Sequence, residues 1–169
     1  MKVLETDRLS LREFVLDDAA FLLSLLNSPG WLKFIGDRGV HTIEDAKKYI
    51  AERLVSSYRT FGFGFYVVTP KDEDIPIGMC GLVKRDTLED VDIGFAFLPE
   101  YFGKGYAWES ASAVLKYGVE RFGLKRIVAI TNLDNTSSIK LLEKIGLTFE
   151  KTIKFGDGEL NLFAINSEQ

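Results

Sequence analysis

Residues Val91 to Ser110 contain an order of residue types that can do chemistry. A strand-like run from Val91 to Leu98 is stopped by Pro99; Gly103-Lys104-Gly105 follows, and a helical pattern starts at once. That order builds an anion site. The first turn of a helix has N–H groups without intrahelical partners, and its dipole end is positive. Glycines beside it let a phosphate approach the backbone, because no Cβ stands in the way. The stretch is read as a site for a phosphorylated ligand at the end of a strand. A lone Gly-x-Gly is a weak signal, and a plain strand–turn–helix connection fits it equally well. Two other phosphate loops are excluded. A P-loop needs Gly-Lys-Ser/Thr, but Lys104 is followed by Gly105, with no hydroxyl for Mg²⁺. A dinucleotide fingerprint needs a third glycine where the chain has Trp108.

The elements that must position this turn follow from periodicity. Residues 8–15 read as a strand with Leu9 and Leu11 on one face. Asp17 is placed to cap a helix over Ala19–Leu26 that ends near Asn27-Ser28-Pro29-Gly30. Gly30 to His41 reads as irregular and holds Trp31, Phe34, Asp37 and Arg38. Thr42 with Asp45 resembles a capping box for a helix that presents Ala46, Tyr49, Ile50, Arg53 and Leu54 at helical spacing. Phe61 to Gly64 reads as a strand start. Strands over 63–69, 76–84 and 91–98 are joined by short links that favour antiparallel neighbours.

The helix after the glycine turn has Ala107, Ala111, Val114, Leu115, Val119 and Phe122 on one face and Gly123 at its end. Lys125–Thr131 is a strand with a buried centre. Asn135 suits the N-cap of a helix that turns Ile139, Leu142 and Ile145 inward and ends at Gly146. Strands over 148–155 and 159–165 flank Gly156-Asp157-Gly158, a hairpin signal. The order is β-α-α-β-β-β-α-β-α-β-β, a mixed α/β (α+β) sheet with helices on its faces. No repeat or linker divides residues 1–169, so a single domain is expected.

Composition narrows the function classes. Hydrophobic residues make up 46% and charged residues 27%, an ordinary globular balance. A net charge of −4 disfavours a nucleic-acid backbone as partner. Cys80 is the single cysteine and His41 the single histidine, so neither an internal disulfide nor a metal cluster is expected. Cys80 reads as a buried strand residue, and His41 as a loop or cap neighbour that could also line the substrate cleft. The N-terminus has no apolar signal region and no run is long enough to span a membrane, so the expected location is cytoplasmic.

With these elements in order, the chain resembles the GNAT superfamily of acyl-coenzyme-A-dependent N-acetyltransferases. Within it, the likeness is to the ribosomal-protein N-terminal acetyltransferase branch (RimJ/RimL-like). The resemblance covers nearly the whole chain. It rests on the element order, on Asp92-Ile93-Gly94-Phe95, on Pro99 through Ala107, and on Asn135-Thr136-Ser137-Ser138 leading to Leu142-Glu143-Lys144-Ile145-Gly146-Leu147.

The resemblance implies acetyl-coenzyme A as co-substrate, no metal, and a primary amine as acceptor. The amine is a protein N-terminus or a small molecule. Backbone N–H groups of Gly103, Lys104, Gly105, Tyr106 and Ala107 would hold the pyrophosphate. Phe102 stands where the family pattern begins with Gln or Arg, which puts a side-chain contact there in doubt. Open backbone groups at Phe95, Phe97 and Leu98 would pair with the pantetheine arm, and an N–H at Phe97 or Leu98 would polarise the thioester carbonyl. Asn135 would hydrogen-bond the pantetheine. Asp92 is the candidate base for the amine, against a structural strand-end carboxylate. Leu142 occupies the position of the family's common Tyr acid, leaving Ser138 as a substitute, against a plain capping role. Trp31, Phe34 and Arg38 lie in the segment that covers the acceptor site. A non-catalytic acyl-coenzyme-A-binding module is the competing reading, and a homodimer stays open.

Overall fold

The computed structural model describes residues 1–167. The strands are β1 (Lys2–Glu5), β2 (Leu9–Glu13), β3 (Phe65–Pro70), β4 (Gly78–Val83), β5 (Val91–Phe97), β6 (Arg126–Thr131), β7 (Thr148–Phe155) and β8 (Gly158–Asn166). The helices are α1 (Ala19–Leu26), α2 (Pro29–Phe34), α3 (Ile43–Tyr49), α4 (Ser56–Phe61), α5 (Tyr106–Phe122) and α6 (Thr136–Lys144), with a π-helical stretch, Ile50–Val55, between α3 and α4. The strands form one sheet in the order β1-β2-β3-β4-β5-β6-β8-β7. Every neighbouring pair is antiparallel except β5 and β6. This is the expected mixed, mostly antiparallel sheet.

Several local expectations are corrected. β1 is an additional strand. It is a short edge with charged ends, too short to show a period, and a bulge interrupts its pairing with β2. The anion turn therefore follows the fifth strand. Pro29 opens α2 instead of breaking the chain, because the first helical position needs no N–H. Phe61 ends α4 and Gly62 caps it, so β3 starts at Phe65. Asp18, not Asp17, organises the start of α1: its Oδ2 accepts the Val15 N–H at 2.9 Å and its Oδ1 an Arg12 guanidinium N–H at 2.8 Å. Asp17 is exposed.

The alternation of β3 sorts the core onto two faces. Tyr66 and Val68 join Cys80, Leu82, Ile93, Ala111, Val114 and Ile127 on the side of α5. Val67 joins Met79, Leu22, Leu25, Ile50 and Leu54 on the side of α1 to α4. A fully buried Leu of this kind contributes about 1.5–3 kcal/mol. Burial pushes the Cys80 thiol up to about 12, so it behaves as an apolar core group rather than a nucleophile. No helix among the described residues is long and apolar enough to cross a membrane.

Candidate active site

The site begins where two parallel strands part. β5 pairs with β6 only at Val91↔Ile127 and Asp92↔Val128. Beyond Asp92, β5 stays with β4 as far as Gly78↔Phe97, while β6 stays with β8 as far as Thr131↔Asn161. A wedge opens between them. The Leu98 N–H donates to the Ile77 carbonyl at 3.0 Å, on the β4 side. Strand backbone alternates sides, so beyond the Asp92↔Val128 pair Phe95 and Phe97 turn their N–H and C=O groups to the open edge. Leu98 does not, and the expected open N–H at that residue is corrected. An edge of unpaired backbone groups accepts an extended amide-bearing ligand as if it were another strand.

The wedge points at the N-terminus of α5. Gly103 and Gly105 hold φ of +74° and +82°, a region that costs a residue with Cβ about 1–2 kcal/mol. No side chain caps the helix. Its first N–H groups are therefore left for an anion. The turn is held from outside. Arg8 donates through Nε to Glu109 Oε1 at 2.7 Å and through Nη1 to the Lys104 carbonyl at 3.0 Å, and it stacks 4.7 Å from the Tyr106 ring centroid. Glu109 Oε2 also accepts from the Arg8 N–H and the Thr6 hydroxyl. Burial pushes the Glu109 carboxyl up, but the hydrogen bonds from Thr6 and Arg8 and the Arg8 charge outweigh it and leave it below the ordinary range.

Asp92 sits at the apex of the wedge and is 2% exposed. Its Oδ2 accepts from Arg85 Nε at 3.1 Å, and its Oδ1 has no partner among the described residues. Burial raises its carboxyl above the ordinary range, although Arg85 pulls it back in part. A carboxyl that is raised, half-paired and set in a cleft has the character of a general base.

Asn135 caps α6 by accepting the Ser138 N–H at 3.3 Å. Ser138 faces the cleft beside Asn135, and Leu142 is buried beneath them. The wedge widens into a cleft of about 1360 Å³. Its lining includes every expected site residue except Leu98 and Lys104; Trp31, Phe34 and Arg38 stand on the wall opposite β5. Lys104 instead contributes its carbonyl to Arg8. His41 lies outside the lining, exposed, with Nε2 3.3 Å from Asp37. Sequence reasoning missed Arg85, Arg8, Arg53 and Asn132. Asn132 donates to the Phe34 carbonyl and so ties the loop after β6 to α2. None of these four has a local signature: Arg85, Arg8 and Asn132 acquire their partners only through the fold, and Arg53 reaches the cleft only through the π-helical stretch.

The family model for the acetyltransferase (GNAT) domain matches residues 8–148. The chain belongs to the GNAT acetyltransferase family. Among its relatives is YnaD of Bacillus subtilis (strain 168), described as an uncharacterized N-acetyltransferase; it is 34% identical over 149 residues, covering 88% of this chain and 84% of YnaD. A GNAT-family acetyltransferase from Bacillus anthracis superposes with a TM-score of 0.80 at 29% identity, covering 98% of each chain. RimL, a ribosomal α-N-protein acetyltransferase solved in complex with coenzyme A, superposes with a TM-score of 0.83 at 18% identity, covering 98% of each chain, and so shares the fold. The GNAT chain described here is accordingly an acyl-coenzyme-A-dependent N-acetyltransferase.

Proposed function

We propose that residues 1–169 act as one domain that transfers acetyl from acetyl-coenzyme A to a primary amine, either a peptide N-terminus or a small molecule. The observation that carries this reading is the wedge at Asp92, which runs along an open β5 edge to an uncapped helix N-terminus. The N–H groups of Gly103 to Ala107 hold the pyrophosphate. The open groups of Phe95 and Phe97 pair with the pantetheine amides, so the arm carries the thioester along β5 toward Asp92. Asn135 spends Oδ1 on its cap, which leaves its amide N–H groups for the same arm.

The acceptor nitrogen attacks the carbonyl carbon. The new C–N bond forms as the C–S bond breaks, and the electron pair leaves on sulfur. Asp92 takes the proton that the nitrogen sheds, directly or through a water, and Ser138 or solvent returns one to the thiolate. Only the neutral amine attacks, and alkyl amines are charged at neutral pH, so a base near the nitrogen is required. Every residue named comes from one chain, so this reading needs no second copy.

The test is thiol release from acetyl-coenzyme A across amines and N-terminal peptides, with coenzyme A binding followed by calorimetry. Turnover with any acceptor supports the reading. Tight binding without turnover returns the binding-module alternative, and absence of binding sinks the assignment of the Gly103–Ala107 turn.

A further inference from the structure

The wall opposite β5 holds more hydrogen-bond donors than the protein itself uses. Trp31 is 7% exposed, lines the cleft, and its indole Nε1 is buried with no partner among the described residues. Buried donors are nearly always paired, so an orphan one in a cleft marks a place for an outside acceptor. Three arginines line the same cleft: Arg85 beside Asp92, Arg38 after α2, and Arg53 in the π-helical stretch. Arg8, Arg12, Arg85 and Arg126 each pair with a carboxylate. Arg38, Arg53, Arg59 and Arg121 have no such pair among the described residues, and of these only Arg38 and Arg53 line the cleft; Arg53 lies against the Tyr49 ring, 5.8 Å from its centroid. Acids are not scarce, since the chain has 25 Asp and Glu against 21 Lys and Arg.

The π-helical stretch gives this arrangement a cause. A π turn changes the angle at which successive side chains leave the helix, and such turns recur at functional sites. Here Ile50 and Leu54 are buried in the core, while Arg53 and Ser57 reach the cleft. Across the cleft stands Asp92, with Oδ1 unpartnered. The cleft therefore holds an unpartnered acceptor atom on β5 and, from α2 to the π-helical stretch, two arginines and an indole N–H without acceptors among the described residues.

We propose that the acceptor is a primary amine whose own skeleton carries a carboxylate. The amine is directed to Asp92, and the carboxylate is received by Arg53, Arg38 and the Trp31 indole N–H. This rests on the acetyltransferase reading above and names its acceptor class. The planar fork of Arg matches a carboxylate at two points, and the indole N–H adds direction. The chemistry is shared by a free amino acid and by a peptide that begins with Asp or Glu.

The experiment measures thiol release with matched pairs: β-alanine against β-alaninamide, and Asp-initiated against Asn-initiated tripeptide amides. Wild-type protein is expected to favour the carboxylate member of at least one pair by about tenfold or more in kcat/KM, because the donors stay unpaired with the neutral analogue. The favoured pair identifies the source. Arg53→Met should bring that preference to within about threefold, and Arg53→Lys should restore part of it, keeping charge without the fork. Trp31→Phe should lower it while keeping an aromatic ring. Coenzyme A calorimetry on each variant establishes that the cofactor side is intact. Equal turnover within both pairs, or an Arg53→Met variant that keeps the preference, overturns the inference and leaves the transferase reading standing. Coenzyme A binding with turnover of none of the four also overturns the inference. Loss of coenzyme A binding in the wild type overturns the transferase reading itself.

Discussion

The two walls of the cleft are made of different material. On the β5–α5 side the ligand meets backbone: an unpaired strand edge at Phe95 and Phe97 and the free N–H groups after Gly105. On the α2–α4 side it meets side chains: Trp31, Arg38, Tyr49 and Arg53, carried on α2, the loop after it, the end of α3 and the π-helical stretch. A backbone site can only recognise what every copy of a ligand shares, in the proposed reading a diphosphate and an amide-bearing arm. Side chains can be exchanged one at a time, so the proposed reading puts acceptor choice in the second wall.

The sharpest way to break this contrast is to put a side chain into the backbone wall. Gly105→Val places a β-branched residue at φ +82° and a Cβ 3.2 Å from an Arg8 nitrogen. Strain of about 1–2 kcal/mol or more adds to direct occlusion of the anion site, so coenzyme A affinity is expected to fall by roughly a hundredfold. Calorimetry reads this directly. Arg38→Ala on the other wall should leave the same affinity within about twofold, as exposed substitutions away from the contact do. Normal coenzyme A binding by Gly105→Val would remove the distinction between the walls.

Asp92 lies where the walls meet, and its burial gives it two opposed effects. As base for the amine, its replacement by Asn should lower kcat by about 10²–10⁴. Its carboxyl is raised in the fold by burial, with Arg85 opposing in part. A raised acid binds its proton more tightly folded than unfolded. The stability it contributes is then fully present below the ordinary carboxyl range and is lost as pH rises through the folded value. At neutral pH the buried charge is a net cost, so Asp92→Asn is expected to melt at or above the wild-type temperature there. The two curves should approach each other as pH falls toward the ordinary carboxyl range. A variant that loses activity and also melts lower at neutral pH would mark Asp92 as structural, held for its pair with Arg85.

The same contrast explains what could be read in advance. The turn at Pro99 to Ala107 and the cap at Asn135 were legible because the constraint is local: φ above zero selects glycine, and an N-cap selects a short polar side chain. α2 was not, because Pro29-Gly30 reads as a breaker unless one knows that the helix begins there. The π-helical stretch was invisible, since Ala46, Ile50 and Leu54 satisfy an ordinary helical period and the extra residue shows only in where Arg53 emerges. Arg85 and Arg8 were missed for a different reason. Their partners, Asp92 and Glu109, lie 7 and 101 residues away, and only the sheet brings them together.

The Arg8–Glu109 latch offers the mildest test, because it bears on the backbone wall from behind. Glu109 joins α5 to the loop before β2 through Thr6 and Arg8, and Arg8 in turn grips the Lys104 carbonyl inside the anion turn. If the turn works by being held rigid, Glu109→Gln should raise the KM for acetyl-coenzyme A by roughly three- to tenfold, since each hydrogen bond to a charged group is worth about 1.5–3 kcal/mol and the amide keeps part of them. The acceptor KM should stay within about twofold, because the other wall is untouched. The pH dependence has the opposite sign to that of Asp92. Glu109 is held below its ordinary range, so the latch contributes stability above that range and loses it as pH falls through the folded value. Cofactor KM in the wild type should therefore hold through mild acidification and rise only as pH falls below the ordinary carboxyl range, while in Glu109→Gln it should stay flat over the same interval. A wild-type KM that stayed equally flat would mean that the turn holds its shape without the latch, on Gly103 and Gly105 alone.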